Sequence, residues 1–191
     1  MALVFQNLKG DNYFVKSKLT KTGKMTFFLT KTLDEKCLDI LPYTYEVFEK
    51  YDSGMMFIRK AQPKQFSDNE MKIIESELKK NKSLMDSKID TYGDEIKIYT
   101  VEQDEEMDRM ENRLFGFNSY KMLKYRRYDE RMKIKVSGTG DDRQFEVMRF
   151  CYRGSIDDWI TIDVGDDLKA LATHNLVHLG KDSFYELYRA Y

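Results

Sequence analysis

The sequence predicts an α+β protein, with antiparallel sheets (N-terminal hairpins and a C-terminal three-stranded meander) packed with several amphipathic helices. Three observations carry that expectation. Short aromatic and β-branched runs separated by turn residues fill the first third of the chain. The stretch FSDNEMKIIESELKKNK has a complete helix N-terminal signature. Alternating strands return in the last third, followed by an aspartate-capped helical segment.

Taken in order, LVF at Leu3–Phe5, YFVKSKL at Tyr13–Leu19 and MTFFLTK at Met25–Lys31 read as strands. Gly23 supplies the positive φ that a tight turn between the last two requires. Pro42 is expected to open a short helix through Tyr51, with Tyr45 and Phe48 facing inward and Gly54 ending it. MMFIRK at Met55–Lys60 is a further strand. Ser67 then acts as an N-cap with Glu70 as its capping-box partner, and Phe66 with Met71 forms a hydrophobic staple. Met71, Ile74 and Leu78 make the inward stripe of a helix reaching about Lys82.

Polarity rises over Ser83–Asp94, which marks a soft boundary, and EIKIYTV at Glu95–Val101 alternates as a half-buried strand does. A second helix is expected from near Asp104, with Met107, Met110, Leu114 and Phe117 on one face, and a shorter helical piece at Asn118–Tyr128. MKIKV at Met132–Val136, FEVMRFCY at Phe145–Tyr152 and a strand holding Ile160, Ile162 and Val164 form the meander, with SGTGDD as a turn. Two helices close the chain. Asp166 or Asp167 caps the first, which Gly180 ends; Asp182 or Ser183 caps the second, with Phe184, Leu187, Tyr188 and Tyr191 packing. The whole reads as a single α+β domain over 1–191, with a soft subdivision into 1–90 and 91–191.

Composition narrows the function classes. The chain has 191 residues, 41% of them hydrophobic and 34% charged, which suits a folded and well-solvated protein. With 32 Lys and Arg against 33 Asp and Glu, net charge gives no general attraction to polyanions. Cys37 and Cys151 lie too far apart for a thiol–metal spacing and are too few for a disulfide framework, which points to a reducing compartment. No signal peptide or membrane-length apolar run is visible, so a soluble cytoplasmic protein is expected. Thirteen tyrosines and twelve phenylalanines beside two prolines and five alanines suggest AT-rich coding DNA, as in many phages and low-GC bacteria.

Chemistry-bearing residues concentrate in Ser155–Gly180, which holds five aspartates and both histidines. Strand alternation puts Asp157, Trp159, Thr161 and Asp163 on one face, and Asp158, Ile160, Ile162 and Val164 on the other. Asp157 and Asp163 then stand ~20 Å apart, too far to share a cation. Cross-strand pairing with Lys133 and Lys135, or plain solvation, is the expected role of these acids. His174 and His178 are four residues apart, as in HExxH zinc helices, but HNLVH lacks the glutamate that would serve as general base. No catalytic residue and no metal site is therefore assigned; a metal, if held, would use His174 and His178. GDD occurs at Gly140–Asp142 and again at Gly165–Asp167. It resembles the short acidic turn of viral RNA polymerases over those three residues, without a companion motif, and a hairpin turn or helix N-cap uses the same letters.

The block EQDEEMDRME carries six acids and one arginine, and a basic run interleaved with tyrosines follows it. In that run Tyr120, Lys121, Lys124, Tyr125, Arg126, Arg127 and Tyr128 are the candidate nucleic-acid-binding residues, since aromatics stack on bases while cations neutralise phosphates. The leading expectation is a non-catalytic protein-interaction or assembly component, encoded by a phage or other mobile element. Self-association or a protein partner is expected, with no membrane and no cofactor. The alternatives are a nucleic-acid-binding accessory protein using Tyr120–Tyr128, and a metal-dependent hydrolase using His174 and His178.

Overall fold

The structure is a computed structural model that describes residues 2–102, 109, 110, 113, 126–151 and 157–188. The chain divides into two compact units, Met1–Gln62 and Pro63–Tyr191. The polar stretch Ser83–Asp94, where the sequence suggests a soft boundary, falls inside the second unit and forms a strand.

The first unit holds an antiparallel sheet of β1 (Val4–Gln6), β2 (Asn12–Leu19) and β3 (Met25–Thr30), in that order. The β2–β3 turn closes where the Thr20 carbonyl accepts from Gly23 N–H and the Lys24 carbonyl accepts from Thr20 N–H, with Gly23 at φ 78°. Pairing sets Val15 against Leu29 and Ser17 against Phe27, and Val15 is fully buried on that face. A second hairpin joins β4 (Tyr45–Lys50) to β5 (Met55–Lys60). Its Tyr45 ring lies 4.9 Å from that of Phe27.

The helix expected from Pro42 through Tyr51 is thus a strand. Gly54, at φ 67°, lets the chain reverse there. Cross-strand contacts follow: Phe48 stacks on Phe57 at 5.6 Å, and Arg59 pairs with Glu46 at 2.7 Å. These non-local pairs outweigh a local start signal, because Tyr, Val and Phe suit a pleated surface better than a short helix.

The second unit runs α1 (Asp68–Lys80), β6 (Leu84–Tyr92), β7 (Glu95–Glu102), β8 (Asp129–Ser137), β9 (Gln144–Cys151), β10 (Asp158–Gly165) and α2 (Leu168–Leu176). Its five strands form one antiparallel sheet in sequential order, β10-β9-β8-β7-β6. Ile96, Ile98, Met132, Ile134 and Val147 leave one face with no exposed surface, and Ile74 of α1 and Leu176 of α2 are equally buried in the same core.

α1 begins as its sequence dictates. The Ser67 hydroxyl accepts from Glu70 N–H, and a Glu70 carboxylate oxygen accepts from Ser67 N–H at 2.7 Å. Its C-cap, Asn81, has a long-range role: the Asn81 amide donates to the carbonyls of Leu176 and Leu179 at 2.9 and 2.8 Å. A helix leaves its last carbonyls without partners, and here the cap of one helix satisfies those at the end of the other. Arg149, 6% exposed, closes the remaining terminus by donating to the carbonyls of Leu187 and Tyr185.

The expected sheets packed with several amphipathic helices are therefore corrected to a mostly antiparallel-sheet protein. Three sheets contain ten strands, and the described residues include two α-helices. The helix expected from Asp182 or Ser183 is one 3-10 turn, Asp182–Phe184, whose Phe184 ring still reaches the core. Met107, Leu114 and Phe117 of the expected second helix lie outside the described residues, as does 118–125 of the piece after it. Within Arg126–Tyr128 the chain is not helical.

The Asn81 bridge gives the first expected outcome. Asn81→Ala should lower unfolding free energy by about 1–3 kcal/mol, because the buried Leu179 carbonyl loses its side-chain donor and the Leu176 carbonyl keeps only Leu179 N–H. Urea unfolding reads this directly, and a loss of less than about 0.5 kcal/mol would mean the bridge contributes little.

Candidate interaction surface

Each chemistry-bearing stretch takes a definite place. β10 pairs with β9 with Ile160 opposite Arg149 and Thr161 opposite Met148, and the register then shifts so that Asp163 meets Val147. A bulge at Ile162 thus reverses the alternation. Asp163 turns to the buried side, where it accepts from the Asn175 amide of α2 at 2.8 Å, and Val164 turns outward. The expected shared face for Asp157 and Asp163 is corrected accordingly, since one extra residue inverts every side chain beyond it.

The cations expected to meet those acids pair with others. Lys133 lies 3.4 Å from Glu130 and 3.9 Å from Glu95, with its ammonium 4.1 Å from the Trp159 ring centroid. Lys135 lies 3.7 Å from Glu95.

α2 starts where the Asp167 carboxylate accepts from the backbone of Lys169 and Ala170. His174 and His178 face one another with ring centroids 6.2 Å apart, on an open cleft of about 530 Å³. The His178 Nδ1 is 2.8 Å from the Ser183 hydroxyl. Partial burial, then the neighbouring His174 and Lys181, pull the His178 pKa below its ordinary value. Among the described residues, no group of three or more His, Cys, Asp or Glu side chains converges as a metal site would require.

The two GDD turns meet at a second open cleft of about 550 Å³, lined by Gly140, Asp166 and Asp167 with Glu70 and Arg143. Gly140 has φ 57° and begins a 3-10 turn, and Asp167 is a helix cap. Arg143 donates to Glu70 at 3.0 and 2.9 Å, tying the β8–β9 turn to the start of α1. Of the acids there, Asp167 is engaged as a cap and Glu70 in a capping box and ion pair.

Of the basic–aromatic run, Tyr120, Lys121, Lys124 and Tyr125 lie outside the described residues. Tyr128 is 2% exposed, and its hydroxyl donates to Asp86. Burial opposes ionisation of Asp86, but hydrogen bonds from Lys88 and Tyr128 outweigh it and hold the carboxyl below its usual range. A ring so enclosed offers no face for a base. Arg127 pairs with Asp129 at 3.0 Å, and Arg126 is half-buried.

The first unit presents a different kind of surface. Val15 is its one fully buried hydrophobic residue among the described residues. Leu19 and Met25 face each other at the β2–β3 tip and are 68% and 48% exposed. In the segment between β3 and β4, Leu33, Ile40 and Tyr43 are 60%, 78% and 92% exposed. Val4, Phe28, Met55 and Phe57 complete the exposed set. The stretch Leu33–Leu41 is ambiguous between strand and helix by its sequence. Its one legible signal was apolar residues that fit neither strand nor helix periodicity. No helix among the described residues is long and apolar enough to cross a membrane.

No family model matches this chain, and neither a curated protein nor a solved structure matches it.

The His178 environment fixes a pH effect. Because its folded pKa is depressed, the unfolded chain binds that proton more tightly. Its contribution to stability is therefore complete above the ordinary value of 6.5 and is lost as pH falls through the lower folded pKa. Urea midpoints from about pH 7.5 down to 5 should decline, and His178→Gln should flatten that decline. An unchanged slope in the variant would assign the effect elsewhere.

Proposed function

We propose that this chain acts as a non-catalytic assembly component, associating with further copies of itself through its first unit. One observation carries the reading: among the described residues of Met1–Gln62, nine large hydrophobic side chains are exposed while Val15 alone is fully buried. A segment of that size buries little of its own surface, and large apolar side chains left exposed in such number support an interaction role. The exposed residues are of the kinds favoured in interface cores, with Tyr, Phe and Met prominent among them.

The chemistry of the second unit supports the non-catalytic part. Its acids serve as caps and ion-pair partners, and the Asn175–Asp163 hydrogen bond joins α2 to the sheet. None of these groups is left in the exposed, activated setting that a nucleophile or general base needs.

Sedimentation velocity over a concentration series tests the reading. A dimer or larger species is expected, and Ile40→Lys with Tyr43→Lys should shift it toward monomer, since each places a charge on highly exposed apolar surface. The variant should keep the parent unfolding free energy within about 0.5 kcal/mol, because neither side chain is buried. A parent chain that stays monomeric at every concentration would overturn the proposal.

A further inference from the structure

A second property of the first unit stands on its lysines, with Phe28 common to both. Between Asp11 and Asp34 the chain carries five lysines and no carboxylate. The bracketing acids neutralise two of them: Lys31 lies 2.9 Å from Asp11, and Lys16 pairs with Asp34. Lys18, Lys21 and Lys24 are exposed and have no carboxylate partner among the described residues. Net charge near zero for the whole chain conceals this local excess.

Strand pairing decides what accompanies the cations. Phe14, Lys16 and Lys18 alternate onto one face of β2, and their partners on β3 are Thr30, Phe28 and Thr26. That face looks away from buried Val15, and its Phe28 ring is 40% exposed. The Lys18 ammonium lies 5.7 Å from the Phe28 centroid. The turn that carries Lys21 and Lys24 is held by the Thr20 hydroxyl, which accepts from Lys24 N–H at 3.0 Å and meets the Thr22 hydroxyl. Cations and an open aromatic ring therefore stand together on a fixed ribbon.

We propose that this β2–β3 face binds single-stranded nucleic acid, with Lys18, Lys21 and Lys24 neutralising phosphates and Phe28 stacking on a base. An aromatic face among unpaired lysines complements a strand whose bases are free to stack, whereas a duplex hides those faces. An anionic membrane fits less well. Insertion needs apolar tip residues on the cationic side, and Leu19 and Met25 lie on the opposite face, that of Val15.

Fluorescence anisotropy with a labelled oligothymidylate tests this on the full chain. Three neutralised phosphates give a salt slope of about −2, so affinity should fall about 20-fold from about 50 to 200 mM salt. The combined variant Lys18→Gln, Lys21→Gln, Lys24→Gln should abolish binding at the higher salt while keeping the parent circular dichroism spectrum. Phe28→Ala should weaken binding about tenfold and leave the salt slope unchanged. Parent protein that fails to bind, or a glutamine variant that binds equally well, would overturn the proposal. So would polyglutamate competing as well as the oligonucleotide with no effect of Phe28→Ala, which would identify an acidic protein partner. Sedimentation of the glutamine variant separates this property from self-association, since neither Ile40 nor Tyr43 is altered.

Discussion

The last carbonyls of a helix have no partner within that helix, and burying them without donors is costly. In the second unit this cost is met at one point, where Asn81 both ends α1 and donates to the carbonyls of Leu176 and Leu179 at the end of α2. Gly180 makes the approach tight: a Cβ there would stand 2.9 Å from the Ser83 carbonyl oxygen, and its φ is 75°. With both helices fixed by their C-termini, their apolar faces lie over Ile96, Ile98 and Ile134 in one core. Arg149 repeats the device, anchoring the segment after Phe184 through the carbonyls of Tyr185 and Leu187.

The same economy runs through the ionisable side chains of the second unit. Asp167 serves a helix start, Asp163 holds Asn175, Glu70 closes a capping box and holds Arg143, and Asp86 accepts from Tyr128 and Lys88. Each of these carboxylates already has donors, and those around Glu70 and Asp86 hold the two carboxyls below their usual range. His178 is similarly engaged with Ser183.

The two units differ in how they dispose of apolar surface. The second encloses a continuous core between a sheet and two helices, whereas the first pairs short hairpins and leaves most of its large hydrophobics at least partly exposed. Hairpins form their hydrogen bonds locally whether or not a face is covered, so such a unit can keep its backbone satisfied while its side chains await a partner. Its opposite faces also differ: Leu19 and Met25 on one, Lys18 and Phe28 on the other.

Local rules were sufficient wherever the determining groups are close in sequence. Ser67 and Glu70 specify the start of α1, Asp167 specifies that of α2, and Gly23 specifies the β2–β3 turn. Alternation identified β7, β8 and β9 for the same reason. What depended on distant partners was not legible. Residues Tyr45–Lys50 became a strand because Met55–Lys60 folds back on them, and the polar run after Lys82 became β6 because β7 pairs with it. The bulge at Ile162 turned Asp163 inward toward Asn175, and Tyr128 of the basic run was drawn beneath the surface by Asp86. The sequence by itself determined caps, turns and alternating strands, since these rest on contacts a few residues apart. Tertiary structure alone decided which faces are covered, because burial belongs to pairs of segments and neither segment encodes it by itself.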